Sequence, residues 1–354
     1  MKKFRKIGVL TSGGDAPGMN AAIRAVVRTA LANGVEAVGI YRGYSGLIRG
    51  DIKTLALRDV SNIVNHGGTI LYSDRCPEFK EEAGIMKAVE TCRKLEIDGI
   101  VAIGGDGTFR GATDLSNHGV PCVGLPGTID NDITSTEFTI GFDTAMNTTM
   151  ELIDRLRDTC ESHARCSVVE VMGRNAGDLA VESAIASGAT AVIIPEVNFD
   201  ENELIAKIQH SRELGKRNFI VVVSEGMGAE FGEALTEKIE QVTGVESRFA
   251  RFAHVVRGGN PTLKDRLLGS LMGEYAVQCL LEEKSDIVIC QRNSKLVATD
   301  INYALILDRM YKGKLKDGDL ASFTEAQIVA MKAICDQKRE LIRSMVSHVA
   351  KIGL

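Results

Sequence analysis

The segment Ile7-Gly8-Val9-Leu10-Thr11-Ser12-Gly13-Gly14-Asp15-Ala16-Pro17-Gly18 is typical of a strand that runs through a glycine turn into a helix. Its first residues are apolar, and the helix is predicted to begin near Met19. The same succession of a short apolar run and a segment of helical period recurs along the chain. Because the runs are continuously apolar, their strands are predicted to lie in mainly parallel sheets covered by helices on both faces. The sequence therefore predicts a doubly wound α/β fold.

The recurring elements extend through most of the chain. The predicted strands are residues 7–10, 37–41, 99–103, 120–125, 167–171, 191–194, 219–224 and 287–290. The predicted helices are residues 20–32, 81–95, 144–158, 201–214, 232–242 and 265–282. The segment 324–354 carries Met331, Ile334, Leu341, Met345 and Ile352 at helical spacing, which predicts a C-terminal helix that docks on the protein or forms an interface.

Composition narrows the class of protein. A chain of 354 residues is long enough for about two domains. The net charge of -5 argues against a general nucleic-acid partner. The eight cysteines include no CxxC pair, which indicates reduced thiols and a cytoplasmic location. The basic start is expected to lead into the first strand rather than into a signal peptide, and no apolar run is long enough to span a membrane.

Two glycine turns are candidates for binding phosphate. The first is the turn quoted above, where backbone N–H groups at the start of a helix can receive an anion. The second, Ile103-Gly104-Gly105-Asp106-Gly107-Thr108, follows another predicted strand and contains an acid. An aspartate beside such a turn can hold Mg²⁺ on a nucleotide. The alternatives are a tight turn without a ligand for the first segment and a structural Asx turn at Asp106 for the second.

A third loop, Pro126-Gly127-Thr128-Ile129-Asp130-Asn131-Asp132, places two carboxylates and a hydroxyl directly after an apolar run. Ligands of open α/β sheets bind at the carboxyl ends of strands. If the loop is extended, Asp130 and Asp132 share a face, and carboxylates so close raise one pKa unless a cation lies nearby. The loop is therefore predicted to carry acid/base chemistry. Together with the two glycine turns, it makes phosphoryl transfer from a nucleotide the leading hypothesis.

Phosphoryl transfer also requires cations close to predicted strand ends and turns. Candidates with such a placement are Arg75, Arg165, Arg174, Arg248, His254 and Arg257. Glu225, which follows a predicted strand, could accept hydrogen bonds from sugar hydroxyls. The alternative interpretation of each arginine is a solvated surface charge, and that of Glu225 is a surface or helix-capping acid.

The three loops, with Met172-Gly173-Arg174, resemble the bacterial 6-phosphofructokinase family over roughly residues 6–310. A Gly-Gly-Asp-Gly-Thr turn alone also occurs in NAD kinases and diacylglycerol kinases, but the combination is specific. The resemblance implies the phosphofructokinase fold of two similar Rossmann-like domains. It implies a nucleotide-binding domain of residues 1–140 and about 258–310, and a sugar-phosphate-binding domain of residues 141–257 with part of the C-terminal segment. The segment 324–354 is then a helical extension.

The resemblance also implies transfer of the ATP γ-phosphoryl group to the 1-hydroxyl of fructose 6-phosphate. Asp130 then corresponds to the general base, Asp106 to the acid associated with Mg²⁺, and Thr128 and Asp132 to residues that orient substrate and base. The nucleotide site would comprise Gly13, Arg75, Cys76, Gly105, Asp106, Gly107 and Thr108. The substrate site would comprise Thr128, Asp130, Asp132, Arg165, Met172, Gly173, Arg174, Glu225, Arg248, His254 and Arg257, with Arg174 also stabilising the transferred group. Arg165 and Arg248 would act across a subunit boundary, which implies a homotetramer.

The choice of donor and the regulation follow from the same resemblance. Related pyrophosphate-dependent enzymes carry aspartate and lysine where this chain has Gly107 and Gly127, so the glycines favour ATP. The family's effector site corresponds to Arg24, Arg28, Arg58, Arg157, Gly188 and Lys216, which suggests binding of ADP or phosphoenolpyruvate. Thr190 and Leu214 depart from that site, so altered or weakened ADP activation is expected.

The sequence leaves two alternatives to an ATP-dependent kinase: a pyrophosphate-dependent phosphofructokinase and a non-catalytic nucleotide sensor of the same fold. The joint presence of Asp106, Asp130 and Arg174 disfavours the sensor. A dinucleotide dehydrogenase would need Gly-x-Gly-x-x-Gly in the first turn, and residues 13–18 do not have that spacing.

Overall fold

The computed structural model describes residues 4–353. Residues 1–3, which belong to the basic start, and Leu354, the end of the predicted C-terminal helix, lie outside the described residues. The strands are, in chain order, β1 (Lys6–Ser12), β2 (Glu36–Ile40), β3 (Ile52–Thr54), β4 (Gly99–Gly104), β5 (Cys122–Pro126), β6 (Cys166–Val171), β7 (Ala191–Ile193), β8 (Phe219–Ser224), β9 (Ser247–Arg251), β10 (Ile287–Arg292) and β11 (Lys295–Asp300).

Helices follow most of the strands. They are α1 (Met19–Ala32), α2 (Gly43–Arg49), α3 (Glu82–Lys94), α4 (Asp106–Asn117), α5 (Phe142–His163), α6 (Asp178–Ala186), α7 (Glu201–Glu213), α8 (Phe231–Thr243), α9 (Leu263–Leu281), α10 (Ile301–Tyr311) and α11 (Glu325–Ile352). Short 3-10 helices cover Pro77–Lys80, Glu225–Met227 and Ala253–Arg257. Among the described residues, no helix is long and apolar enough to cross a membrane.

The chain forms two compact units. Unit 1 comprises the described residues up to Ile129, then Ile133–Thr144 and Gly258–Met331. Unit 2 comprises Asp130–Asp132, Ala145–Arg257 and the described residues from Lys332 onward. The three residues 130–132 therefore belong to unit 2, although the residues on either side of them belong to unit 1.

Unit 1 contains a seven-stranded sheet of order β11-β10-β5-β4-β1-β2-β3. The pairs from β10 to β2 are parallel, and the edge strands β3 and β11 are antiparallel to their neighbours. Every residue of β4 is buried, because the sheet is covered on both faces. This explains why the strand reads as a continuous apolar run.

Unit 2 contains a four-stranded, wholly parallel sheet of order β7-β8-β6-β9. Strands β6 and β8 are buried along their whole length. Both sheets lie between helices, so the prediction of a doubly wound α/β fold is confirmed. All eight cysteines are free thiols, and Cys76 is the one that is partly exposed.

Several elements escaped the prediction for identifiable reasons. The edge strands β9 and β11 combine short apolar runs with charged or polar residues, and β3 has three residues. Helix α4 begins at Asp106, inside the segment that the sequence marked as a turn. The apolar face predicted for the C-terminal helix is partly wrong: Leu341 and Ile352 of α11 are exposed. Met331 is buried as predicted, and the other buried positions are Cys335, Ile342 and Val349.

Candidate active site

The register of the sheet in unit 1 brings three loops together. Ser12 of β1 is paired with Gly104 of β4, and Gly104 is paired with Pro126 of β5. The two glycine turns and the start of the third loop therefore leave the sheet side by side, at the carboxyl ends of parallel strands. This is the edge where open α/β sheets bind their ligands.

The first glycine turn requires glycine at Gly18, which precedes α1. Gly18 has φ of 104°, and a Cβ there would lie 3.1 Å from the carbonyl oxygen of Asp265 and 2.7 Å from Cγ2 of Ile140. Both the left-handed backbone and the close approach exclude a side chain. Gly13 is less crowded, because the nearest atom to a Cβ there is Oγ1 of Thr108 at 3.8 Å. An anion can therefore approach the main chain at Gly13.

The second glycine turn is tied to the first through Thr108. Its hydroxyl donates a buried hydrogen bond of 3.0 Å to the carbonyl oxygen of Ser12. In contrast, a Cβ on Gly105 would meet no heavy atom within 4 Å, and one on Gly107 would meet Nη2 of Arg110 at 4.0 Å. The hydroxyl of Thr108 thus holds the two turns together, while the space above Gly105 and Gly107 is open to a ligand.

Asp106 lies in the first turn of α4. Its Oδ1 accepts the N–H of Gly107 at 2.7 Å, and its Oδ2 accepts from Nη2 of Arg110 at 2.8 Å. The bond to the N–H of Gly107 is the one expected of a structural Asx turn. The carboxylate of Asp106 nevertheless remains partly exposed. Residues 4–353 contain no cluster of three or more His, Cys, Asp or Glu that could hold a metal ion by themselves. A single carboxylate suits Mg²⁺, which is commonly held by one or two carboxylates and the phosphates of its nucleotide.

Arg75 and Cys76 follow a segment that contacts the first turn. The hydroxyl of Ser73 donates to the carbonyl oxygen of Gly13, and the hydroxyl of Thr11 donates to the carbonyl oxygen of Tyr72 at 2.7 Å. Arg75 is exposed and Cys76 is half-buried. These bonds anchor the segment beside β1, so both predicted residues lie near the glycine turns.

The third loop begins in unit 1 with Gly127 and Thr128. The N–H of Gly127 donates to the carbonyl oxygen of Gly104 at 3.0 Å. The N–H of Thr128 donates to the carbonyl oxygen of Ile140, and its own carbonyl oxygen accepts from the hydroxyl of Thr139 at 2.6 Å. A Cβ on Gly127 would lie 3.0 Å from side-chain atoms of Ile103 and Met19. A larger residue at this position must displace those side chains.

Both carboxylates of the loop lie close to Arg174 within unit 2. Oδ2 of Asp130 lies 3.9 Å from Nε of Arg174, and Oδ2 of Asp132 lies 4.0 Å from Nη1 of the same residue. A cation therefore lies beside the pair. The premise of an extended loop is wrong, because Asn131 has φ of 50°, in the left-handed region. The two carboxylates are brought together by the bend at Asn131 and by Arg174. They do not share a face through the alternation of side chains along an extended strand.

Asp130 has a perturbed acidity. Burial, followed by the negative charge of Asp132, raises its pKa from 3.8 to about 6, although Arg174 and Arg257 act in the opposite direction. A carboxylate in a protected place with a pKa near the working pH is suited to accept a proton. Such perturbed groups are concentrated at functional sites.

Glu225 shapes the loop that carries Arg174. Its Oε1 accepts the N–H of Gly173 at 3.1 Å and the N–H of Arg174 at 2.7 Å. The pairing of Val171 with Ser224 brings Met172 and Glu225 to the same end of β6 and β8. The two bonds hold Gly173 at φ of 135° and Arg174 at φ of 55°. Glu225 thus orients the predicted substrate loop directly.

The remaining predicted substrate residues fall in two places. His254 and Arg257 lie on the 3-10 helix Ala253–Arg257, and Arg257 influences the acidity of Asp130. Arg165 and Arg248 lie near the amino end of β6, where both contact Glu246, Arg165 at 2.8 Å. Met172 is at the other end of that strand, roughly 23 Å from Arg165 at about 3.3 Å per residue. Within unit 2, Arg165 and Arg248 therefore lie far from Arg174.

The predicted effector residues are divided between the units. Arg24 and Arg28 lie on α1 of unit 1, and Arg58 lies in the same unit. In unit 2, Arg157 donates to the carbonyl oxygens of Ser187 and Gly188. Nζ of Lys216 donates to the carbonyl oxygen of Gly353 at 3.0 Å. Burial lowers the pKa of Lys216.

Sequence reasoning missed further polar residues near these places. Lys207 donates to the carbonyl oxygens of Thr190 and Ala350 at 2.8 and 2.9 Å, beside Lys216. Asp178 and Lys338 contact Asn131, between the two carboxylates of the third loop. Nothing in the sequence around Lys338 predicts its contact with Asn131, because the two residues are far apart in the chain. The one available hint was an asparagine within an Asp-Asn-Asp run, since asparagine adopts left-handed backbone more readily than most residues.

Comparison with known proteins supplies the family. The family model described as phosphofructokinase matches residues 6–280. An ATP-dependent 6-phosphofructokinase of Halalkalibacterium halodurans is 52% identical over 304 residues, which are 85% of this chain and 94% of that protein. The enzyme of the same description from Bacillus subtilis is 52% identical over 300 residues, 84% of this chain and 93% of that protein.

A solved structure of phosphofructokinase from Saccharomyces cerevisiae is similar with a TM-score of 0.85 and 30% sequence identity. The alignment covers 98% of this chain and 49% of the yeast chain. The chain therefore spans about half of the length of that yeast chain.

Proposed function

Since the chain belongs to the phosphofructokinase family, we propose that it transfers the γ-phosphoryl group of ATP to the 1-hydroxyl of fructose 6-phosphate. The products are fructose 1,6-bisphosphate and ADP, which makes the chain a cytoplasmic kinase of glycolysis. The observation that carries the proposal is the buried carboxylate of Asp130, whose pKa is raised to about 6, close to Arg174.

Asp130 acts as the general base. It accepts the proton of the 1-hydroxyl while the hydroxyl oxygen bonds to the γ-phosphorus and the bond from phosphorus to the β–γ bridging oxygen breaks. Arg174 is a positive charge close to this place, so it stabilises the charge on the transferred group. Asp132 and Thr128 orient substrate and base. Glu225, together with Met172 and Gly173, shapes the sugar-phosphate site, to which His254 and Arg257 also contribute.

The loops of unit 1 bind the nucleotide. The open main chain at Gly13, Gly105 and Gly107 receives the phosphates, and Arg75, Cys76 and Thr108 flank it. Asp106 would hold Mg²⁺, which when bound neutralises charge on the phosphates. Its ion pair with Arg110 is solvent-exposed, so releasing Arg110 costs at most about 1 kcal/mol.

ATP is the preferred donor. A Cβ on Gly107 would have Nη2 of Arg110 as its nearest neighbour, at 4.0 Å, and an aspartate there would add a side chain and a negative charge. At Gly127 a lysine would also have to displace Met19 and Ile103. The two glycines leave room for a nucleotide, which supports ATP over pyrophosphate.

The active form is a homotetramer. Arg165 and Arg248 lie at the amino end of β6, away from Arg174, so they serve a 6-phosphate bound to a neighbouring subunit. Helix α9 supports association as well. Leu263, Leu267 and Leu271 lie four residues apart on it, and all three are exposed. Such an exposed apolar stripe is typical of a surface that another protein covers.

One assay tests the reaction. Purified protein is given fructose 6-phosphate and Mg²⁺ with either ATP or pyrophosphate, and fructose 1,6-bisphosphate is measured. Turnover with ATP alone is expected. Turnover with pyrophosphate alone would identify a pyrophosphate-dependent enzyme. If neither donor supports turnover while ATP still binds, the chain is a nucleotide sensor and the proposed function is wrong.

The matched variants are Asp130→Asn and Glu90→Gln. Asp130→Asn keeps the size of the side chain and removes the base, so kcat is expected to fall by about 10²–10⁴-fold. Glu90 is exposed on α3 and its variant serves as the control. Near-normal kcat in Asp130→Asn contradicts the assignment of the base.

A further inference from the structure

The C-terminal helix α11 places a lysine on its buried side. Cys335 and Ile342 are buried in the described part of this helix, and Lys338 lies between them, with a side chain that is 17% exposed. Placing an ammonium group among buried apolar residues costs free energy unless the group is paired. The partners of Lys338 therefore indicate what it does.

Lys338 contacts the loop that carries the proposed base. Its Nζ donates a hydrogen bond of 3.1 Å to the carbonyl oxygen of Asn131 and lies 3.4 Å from Oδ1 of Asp178. Asp178 is the first residue of α6, where the helix dipole stabilises a carboxylate. All three residues belong to unit 2.

Asn131 is held from two sides. Its carbonyl oxygen accepts from Lys338, and its side-chain Nδ2 donates to Oδ1 of Asp178 at 3.4 Å. It is 4% exposed and has φ of 50°, a conformation that a non-glycine residue keeps only when its surroundings enforce it. Asp130 and Asp132 flank it, so the direction of their side chains depends on this main-chain conformation.

We propose that Lys338 is a positioning residue for phosphoryl transfer: it fixes the main chain at Asn131 and thereby the place of the Asp130 carboxylate. The inference rests on the proposed function, in which Asp130 is the base. Helix α11 lies beyond residues 6–280, which the family model matches. Helix α11 therefore contacts the loop of residues 126–132 from outside the segment that the family model matches.

A purely structural role is the alternative. Oδ2 of Asp178 and Oε2 of Glu196 are buried, and neither has a hydrogen-bond partner among the described residues. Burial raises the pKa of Glu196, and the positive charge of Lys338 opposes that rise, so Lys338 also compensates for these two carboxylates. If Lys338 served only to neutralise these carboxylates, its removal would lower the stability of the protein without a specific effect on catalysis. The experiments must therefore measure stability and turnover separately.

The first measurement compares Lys338→Met with Lys338→Arg. In Lys338→Met, kcat is expected to fall by about 10²-fold, the scale of a misplacement of about 1 Å, with KM for ATP within about twofold of wild type. Lys338→Arg keeps the charge and the donors, so it is expected to recover most of kcat. Lys332→Met, at an exposed lysine of the same helix, is the control and should leave kcat unchanged. Unchanged kcat in Lys338→Met overturns the proposal.

The second measurement adds Asp178→Asn to Lys338→Met. Asp178→Asn removes the carboxylate that Lys338→Met leaves buried without its cation, so the melting temperature of the double variant is expected to return towards that of wild type. Its kcat is expected to stay low, because the hydrogen bond from Nζ of Lys338 to the carbonyl oxygen of Asn131 is still missing. If melting temperature and kcat recover together, Lys338 is only structural and the proposal is wrong.

The third measurement does not require activity. Amide hydrogen exchange of the segment 129–134 is followed in wild type, Lys338→Met and Lys332→Met. Faster exchange in Lys338→Met alone is expected. Unchanged exchange in that variant overturns the inference whether or not the wild type is an active kinase. An inactive wild type with faster exchange in Lys338→Met instead contradicts the proposed function and leaves the positioning contact supported.

Discussion

Nε of Arg174 lies 3.9 Å from Oδ2 of Asp130, and the same guanidinium reaches Asp132 at 4.0 Å. Arg174 lowers the pKa of Asp130, whereas Asp132 raises it. Because a general base works only when it is deprotonated, kcat/KM is expected to rise as the pH increases through about 6.

The two neighbours of Asp130 shift this profile in opposite directions. Arg174→Gln removes the charge that lowers the pKa, so the acid limb of kcat/KM moves to higher pH. Asp132→Asn removes the charge that raises it, so the limb moves to lower pH. Both variants also reduce kcat, and the normalised pH profiles are therefore compared. Shifts of the same sign in the two variants would refute the electrostatic assignment.

The stability of the protein should depend on the same carboxyl group. Its folded-state pKa, about 6, exceeds the ordinary value of 3.8, so the folded state binds the proton more tightly. Its contribution to stability is fully present below pH 3.8 and is lost as the pH rises through about 6. The loss corresponds to about 3 kcal/mol, at about 1.36 kcal/mol per unit. Asp130→Asn should therefore lack this loss and unfold at higher denaturant concentration than wild type at pH 8, although its kcat is strongly reduced.

Glu225 offers a test of loop geometry. Glu225→Ala leaves the N–H groups of Gly173 and Arg174 without their acceptor, and a hydrogen bond to a charged group contributes about 1.5–3 kcal/mol. We expect kcat/KM for fructose 6-phosphate to fall by roughly 10²-fold, with a smaller change in KM for ATP. Glu225→Gln keeps an oxygen acceptor and should lose less. Equal losses in the two variants would mean that the charge, rather than the acceptor, matters.

The second glycine turn allows steric and ligand effects to be separated. A Cβ on Gly104 would lie 2.2 Å from Oγ1 of Thr108 and 2.4 Å from the carbonyl oxygen of Ser12, whereas one on Gly105 would meet nothing within 4 Å. Gly104→Ala is expected to destabilise the fold by at least about 1–3 kcal/mol. Gly105→Ala should melt like wild type yet bind ATP more weakly, because its methyl group enters the open space. Calorimetric titration with ATP and thermal melting distinguish the two effects.

The end of the chain bears on regulation. Lys216, a predicted effector residue, already donates to the carbonyl oxygen of Gly353. We expect ADP and phosphoenolpyruvate to change the rate of the full chain only weakly at subsaturating fructose 6-phosphate. A chain that ends at Ile352 lacks this acceptor and should respond to lower concentrations of either ligand. Strong ADP activation of the full chain would contradict the expectation.

The fold class was predictable from local patterns. Buried parallel strands such as β4 and β8 read as continuous apolar runs because both faces of each sheet are covered. The edge strands β9 and β11 were missed since their exposed positions carry charges. Helix α4 was missed because its first turn is also the glycine loop. The apolar face of α11 was partly misassigned because the spacing of Leu341 and Ile352 is helical, although both residues are exposed.

The sequence by itself determined the chemistry of the loops: which segments carry glycine, carboxylate and arginine, and which family they resemble. These are local properties, set by residue type and spacing along the chain. Tertiary structure alone decided that Arg174 lies beside Asp130 and that Glu225 binds main-chain amides. It also decided that Lys338 reaches Asn131, 207 residues away in the chain. Such contacts arise from the packing of distant elements, and no pattern within a short segment records them.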